Sequence, residues 1–418
     1  MAIHVLDKYY LGITAIITVA YQLVFFAIAF TCKFDKLTGM QYITISPPIF
    51  EYSHLVDFAG GSNFVVLAVI TLVLGAQYLP YVPARQILVT TLLCLWALRL
   101  AGFLFFRILR TGKDTRFDDK RDKFFPFLGF WVAQMVWVWT VSLPVTILNS
   151  PGVISHANSN LAHLGTPRDI AGVVLFGVGF LCEAIADAQR FRFRERVQKT
   201  NPLAFCQSGL FAWSRHPNYF GEILVQFGIF TVASSDTKYQ GINTAKPPFY
   251  NAVYASITGA VLLTLLLFFV SGMTLSERPA AAKRYAAGGA VWDAYRTYLH
   301  RTSILIPLPP FLYAPLPVWL KRTLLLEFPL YVFDPAKHAT LSGDADGNAD
   351  GATNSKPSKA PIPPTVAAKV AAKVAANPVV PPKNVGHDPD GNNPEPMHRK
   401  LPHSPSSTSS APRRHDSL

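Results

Sequence analysis

Seven apolar segments recur along the chain: Tyr9 to Phe30, Asn63 to Leu79, Gln86 to Phe106, Phe127 to Leu148, Ile170 to Gln189, Leu210 to Ala233 and Phe249 to Gly272. A helix rising about 1.5 Å per residue needs about 20 apolar residues to cross a bilayer's hydrocarbon. The pattern therefore predicts an all-α polytopic membrane bundle of about seven spans. The first segment has 22 uncharged residues, longer than the roughly 7–15 of a signal-peptide core, and is expected to be a retained span.

Basic residues between these segments predict the topology. Arg107, Arg110, Lys113, Arg116, Lys120, Arg121 and Lys123 follow the third segment, Arg190, Arg192, Arg194, Arg196 and Lys199 the fifth, and Arg278, Lys283, Arg284, Arg296 and Arg301 the seventh. Between Asn149 and Asp169, by contrast, there is one basic residue, Arg168. Short cytosolic loops hold the excess of Lys and Arg, so the C-terminus is expected in the cytosol and the N-terminus outside. After Pro335 the chain turns to Ala, Pro, Ser, Asn, Asp and Lys. Such a stretch buries too little apolar area to offset its conformational entropy, and residues 336–418 are expected to form a disordered cytosolic tail. The predicted divisions are N-terminal spans over 1–95, a membrane domain over 96–310, an interfacial segment over 311–335, and the tail.

Half of the residues are hydrophobic and 15% are charged, against about 25% charged in soluble domains, which excludes an ordinary cytosolic enzyme. The net charge of +13 falls between apolar runs, so its expected partner is a lipid bilayer surface and not nucleic acid. The four cysteines are widely spaced, with no CxxC or histidine cluster, so neither a metal nor a disulfide framework is expected.

Three polar constellations stand at the edges of spans. Glu183, Asp187, Arg190 and Arg194 are spaced four, three and four apart, which places them on one helix face. They suit either intrahelical ion pairs with snorkelling arginines or a pocket wall, with acids for hydroxyls or an amide and arginines for phosphate. The second run is Ser214-Arg215-His216-Pro217-Asn218-Tyr219-Phe220-Gly221-Glu222. Pro217 fits a first helical turn, and Asn218 and Glu222 share a face one turn apart. A lone His216 is more often a hydrogen-bonded structural residue than a base. The third comprises Glu277, Arg278, Lys283, Arg284, Tyr285, Trp292, Tyr295 and Arg301. It reads as an interfacial amphipathic segment, or as a site in which Glu277 and Tyr285, eight residues apart, close a cavity. No strand followed by GxGxxG and a helix is present.

The run from Gly209-Leu210-Phe211 through Arg215-His216-Pro217-Asn218-Tyr219-Phe220-Gly221-Glu222 to Gly228 resembles the C-terminal signature of the steroid 5α-reductase superfamily. The stretch from about Trp96 to Pro307 resembles its DUF1295 branch, including Arg99, Arg116-Phe117-Asp118, Trp137-Val138-Trp139 and Ala186-Asp187-Ala188-Gln189. The resemblance implies a multi-span reductase that binds NADPH in a cavity open to the cytosol. Its substrate would be a hydrophobic lipid, a sterol, enone or enoyl compound with an activated double bond, and its membrane the endoplasmic reticulum. It assigns Asp187, Arg190, Arg194, Trp213, Arg215, His216, Asn218, Glu222, Glu277, Tyr285 and Tyr295 to the cofactor. Tyr219, a phenol able to hydrogen-bond an enolate, and Glu222 are the catalytic candidates. The isoprenylcysteine carboxyl methyltransferases share an Arg-His-Pro-x-Tyr element, so an S-adenosylmethionine-dependent methyltransferase is the alternative enzyme, and a lipid-binding scaffold the alternative outside catalysis.

Overall fold

The computed structural model describes residues 7–37, 52–78, 82–111, 124–155, 164–235 and 249–335, all within one compact unit, Met1–Ser355. The expected tail, the Arg116-Phe117-Asp118 segment and part of the 149–169 loop lie outside the described residues. The helices are α1 (Leu11–Leu37), α2 (Tyr52–Ala76), α3 (Ala84–Thr111), α4 (Phe124–Val141), α5 (Leu143–Leu148), α6 (Pro151–Ile154), α7 (Pro167–Phe193), α8 (Pro217–Ser234), α9 (Tyr250–Ala255), α10 (Thr258–Leu265), α11 (Met273–Ala287), α12 (Gly289–Arg301), α13 (Pro310–Tyr313) and α14 (Val318–Thr323). Among the described residues the only β feature is an isolated parallel bridge between Ser214 and Ser303.

Among the described residues, six stretches are long and apolar enough to cross a membrane: Leu11–Phe30, Phe58–Ala76, Ala84–Arg107, Phe124–Val141, Pro167–Gln198 and Tyr250–Ala287. The protein is an all-α integral membrane bundle. The expected span at Leu210 to Ala233 is the exception, because its helix, α8, starts only at Pro217 and carries Asn218, Glu222 and Gln226. Polarity follows membrane logic. Ile16, Leu98, Val174, Val178 and Leu181 face outward, while Thr14, Gln22, Asn63, Thr71, Thr90 and Asn149 are buried between helices. Asn149 Nδ2 donates to Thr71 Oγ1 at 3.3 Å and to Thr90 Oγ1 at 3.0 Å, satisfying polar groups that lipid could not.

Two expected spans are broken. The fourth stops at Val141 and restarts as α5 with a proline in its first turn, every residue of it buried. The seventh is divided into α9, α10 and a π-turn over Leu266–Val270 before α11. At its first break the Ser256 hydroxyl takes the Val253 carbonyl at 2.6 Å, an alternative to the helical ladder.

The site rests on α3, α7 and α8. A capping box, Thr166 with Asp169, and Pro167 in the first turn start α7. Arg85 of α3 pairs with Asp169 of α7 at 2.9 Å, and Arg99 pairs with both Glu183 and Asp187. Each of the first two pairs joins residues 84 apart, so α3 and α7 run parallel and are clamped at two levels about 21 Å apart. Against α7, α8 packs antiparallel through glycines at seven-residue spacing. A Cβ on Gly179 would lie 2.6 Å from the Gly221 carbonyl oxygen, and one on Gly228 would lie 2.8 Å from that of Gly172. Only glycine allows backbones this close.

Candidate functional site

The loop entering α8 is held by a second chain segment. Arg215 N donates to Ser303 O at 2.8 Å, His216 N to Ile304 O at 3.1 Å and Leu308 N to Trp213 O at 3.1 Å. Ser214 Oγ donates to Leu305 O at 2.7 Å. This short ladder turns Arg215 and His216 into the protein, where both are buried. Arg215 Nη1 donates to Glu277 Oε2 at 2.6 Å, and Nη2 bonds Glu327. Glu327 in turn accepts the Tyr313 hydroxyl at 2.6 Å. His216 Nε2 lies 2.7 Å from Glu277 Oε1. A carboxylate can only accept, so Nε2 carries a proton. The His216 ring stacks on Tyr219 at 4.9 Å with an interplanar angle of 1°.

Beside this network is a cavity of about 130 Å³ lined by Arg190, Arg194, Arg215, His216, Arg284, Glu277, Tyr295 and Tyr298, among others. Arg284 is spread over backbone and aromatic partners: its Nε donates to Leu203 O at 3.0 Å, and its guanidinium sits 4.4 Å from the Tyr295 ring centre. Four arginines and a histidine thus face one carboxylate, and that carboxylate is already shared between Arg215 and His216. Such a donor set suits an anion, above all phosphate. Burial, reinforced by Glu277, pushes the Tyr295 phenol up to about 12. Tyr298 is raised as well, again mainly by burial, and its hydroxyl donates to Phe211 O at 2.9 Å. Both phenols remain donors at neutral pH.

A second cluster lies further along α7 and α8. Arg99 bridges Glu183 and Asp187, and Glu222 is in electrostatic range of Asp187 and Arg99. Among the described residues, Glu183 Oε2 and Asn218 Oδ1 are buried with no hydrogen-bond partner, which leaves accepting capacity that native interiors rarely waste.

Of the residues singled out from the sequence, Arg190, Arg194, Arg215, His216, Glu277 and Tyr295 line the cavity. Asp187, Asn218, Tyr219 and Glu222 belong to the first turns of α8 and the acidic cluster facing them. The acids at 183 and 187 share a face as their spacing predicts; the side chain that bonds both is Arg99 of α3, and Arg190 of their own helix adds its charge beside Asp187. Tyr285 is not in the cavity: it is 37% exposed and packs against Trp292 and Phe333 at 5.3 and 5.5 Å. Eight residues advance a helix about 80° past two full turns, whereas seven bring it back within about 20°. The residue seven after Glu277 is Arg284, and it is the one that lines the cavity. Trp213 is 47% exposed and contributes only backbone to the ladder. Sequence reasoning missed Arg284, Tyr298, Tyr313 and Glu327 as parts of the site. It noted Arg99 without a role, although an arginine inside an apolar span signals a buried acid.

The family model described as Protein of unknown function (DUF1295) matches residues 47–302, more than half of the chain. No curated protein and no solved structure matches significantly. The matched stretch includes α2 to α12, and with them the Arg99 clamp, the α7–α8 glycine contact and the cationic cavity. The chain belongs to the DUF1295 family.

Proposed function

We propose that the protein is a membrane-embedded reductase that uses NADPH to reduce an activated C=C bond of a hydrophobic lipid. The observation that carries this reading is the excess of cationic donors in the cavity between the end of α7, the loop before α8 and α11. Four arginines around one committed carboxylate favour the phosphates of a dinucleotide over S-adenosylmethionine, whose sulfonium makes it a net cation. The residues fit the cofactor in chemistry. Arg190, Arg194 and Arg284 would hold phosphate, and the unpartnered Asn218 Oδ1, with Glu222 one turn on, offers acceptors for an amide or ribose. Sites for small molecules span about 300–1,000 Å³. A cavity of about 130 Å³ therefore takes the phosphate portion, and the rest of the molecule would extend along α8.

NADPH, when bound, supplies the hydride. Tyr219 would donate a hydrogen bond to the carbonyl oxygen of an enone, since a phenol stays protonated at neutral pH, and a solvent proton would complete the reduction at the α-carbon. His216 stacks on that ring and is fixed by Glu277, so the Tyr219 ring is held in one orientation. Arg99 bonds both Glu183 and Asp187, so Asp187 would act by fixing Arg99. The basic ends of α7 and α11 would face the cytosol.

The test is transfer of deuterium from 4-deuterated NADPH into lipid extracted from membranes containing the protein. The reading predicts a lipid product carrying one deuterium, with the signal at least 10-fold lower for Tyr219→Phe. Absence of label in any lipid, with the cofactor demonstrably bound, would contradict it.

A further inference from the structure

A second and larger cavity, of about 500 Å³, lies across the Arg215–Glu277 pair from the first and shares only those two residues with it. Its remaining wall comes from Ala281 of α11, from α12 and from residues 318–335, the last beyond the family match. The charges in it are not balanced. Both of its carboxylates are committed, Glu277 to Arg215 and His216, and Glu327 to Arg215 and Tyr313. Arg296 and Arg322 line the cavity and have no hydrogen bond or ion pair among the described residues. Lys321 Nζ reaches only carbonyls, His300 O at 3.4 Å and Ala314 O at 3.2 Å, and the Tyr313 ring at 4.4 Å. Three cations without a carboxylate thus share the cavity with Trp292, Leu299 and Phe333.

The surroundings say where the ligand comes from. Phe311, Leu312, Val318, Trp319 and Leu324 of α13, α14 and the residue after them are 75%, 50%, 59%, 66% and 65% exposed. Val318 belongs both to this apolar strip and to the cavity wall. Exposed apolar and tryptophan side chains beside Lys321 and Arg322 are the composition of a segment lying in the headgroup layer. We propose that this cavity binds the phosphate headgroup of an anionic phospholipid. Arg296, Lys321 and Arg322 hold the phosphate, and the acyl chains leave past Val318 into the bilayer. Independently of whether the first cavity takes NADPH, this is a lipid site built by the segment that follows the family domain.

The test is native mass spectrometry of the detergent-purified chain after incubation with phosphatidylglycerol or phosphatidylcholine vesicles. One phosphatidylglycerol per protein is expected, at least 10-fold tighter than phosphatidylcholine and not displaced by millimolar glycerol 3-phosphate. In Arg296→Gln/Arg322→Gln binding should fall to the phosphatidylcholine level. Both side chains are exposed, and if the double variant does not fold, Arg322→Gln alone is read the same way. Equal retention of the two lipids, or undiminished phosphatidylglycerol on the variant, would overturn the site. Full displacement by glycerol 3-phosphate would overturn the lipid source and assign a soluble phosphate ligand.

Discussion

His216 and Glu277 lie 2.7 Å apart, and this contact ties the loop before α8 to α11, with Arg215 on the other oxygen of the same carboxylate. Removing one partner of a buried pair leaves the other charge uncompensated, at a cost of about 3–5 kcal/mol. Glu277→Gln should therefore destabilise the protein by about 3 kcal/mol. Glu327→Gln, whose side chain is 18% exposed against 7% for Glu277, should cost about 1–2 kcal/mol. Denaturant unfolding of the purified variants checks the order, and equal losses would refute the central place given to Glu277.

Arg99 holds two carboxylates, so truncating it leaves both unpaired inside the bundle. Arg99→Met should cost about 3–5 kcal/mol, and adding Glu183→Gln and Asp187→Asn should restore at least half of that. A thermal-unfolding mutant cycle measures the recovery. Strictly additive losses would mean that the three residues act separately.

The α7–α8 contact predicts a contrast between glycines of one helix. Gly179→Ala places a methyl group 2.6 Å from the Gly221 carbonyl oxygen and should cost about 1–3 kcal/mol. Gly177→Ala meets nothing within 4 Å and should be neutral or stabilise by up to about 1 kcal/mol, by helix propensity and a less flexible unfolded chain. Unfolding curves of the two variants should shift in opposite directions or by clearly different amounts.

Much of this arrangement was legible in the sequence. Runs of apolar residues located six of the seven expected spans, and the Arg-His-Pro-Asn-Tyr-Phe-Gly-Glu run located the start of α8, because length and proline position are local properties. The interruption at Ser256 was not legible, since the apolar run continues through it and the break follows from packing and a side-chain hydrogen bond, whereas Pro144 marks the one at Ser142. Nor could spacing show that Arg99 meets acids 84 residues away, or that Glu327 and Tyr313 complete the shell of Arg215. Tyr285 leaves the cavity for a simpler reason: eight residues carry it about 80° past two full turns from Glu277.

Tyr295 gives the cavity a pH signature. Its pKa rises from 10 to about 12 on folding, so the native state holds the proton more tightly than the unfolded one. This contribution is complete below pH 10 and is lost as pH rises from about 10 to 12, by up to about 1.4 kcal/mol per unit. Subtracting the stability profile of Tyr295→Phe from that of wild type should give a flat line from pH 6 to 9 and a fall above 10. A difference that changes below pH 9 would contradict the burial of this phenol.

The central claim is that the cationic cavity recognises the phosphates of a reduced dinucleotide, and equilibrium binding to the purified protein tests it most directly. NADPH, NADH and S-adenosylmethionine would each be titrated against wild type, Arg194→Ala and Arg284→Ala. Losing a charge-assisted hydrogen bond costs about 1.5–3 kcal/mol. The account predicts NADPH binding that weakens about 10- to 100-fold in both variants, with S-adenosylmethionine weaker than NADPH throughout. Tight S-adenosylmethionine binding, or NADPH binding indifferent to both arginines, would contradict it.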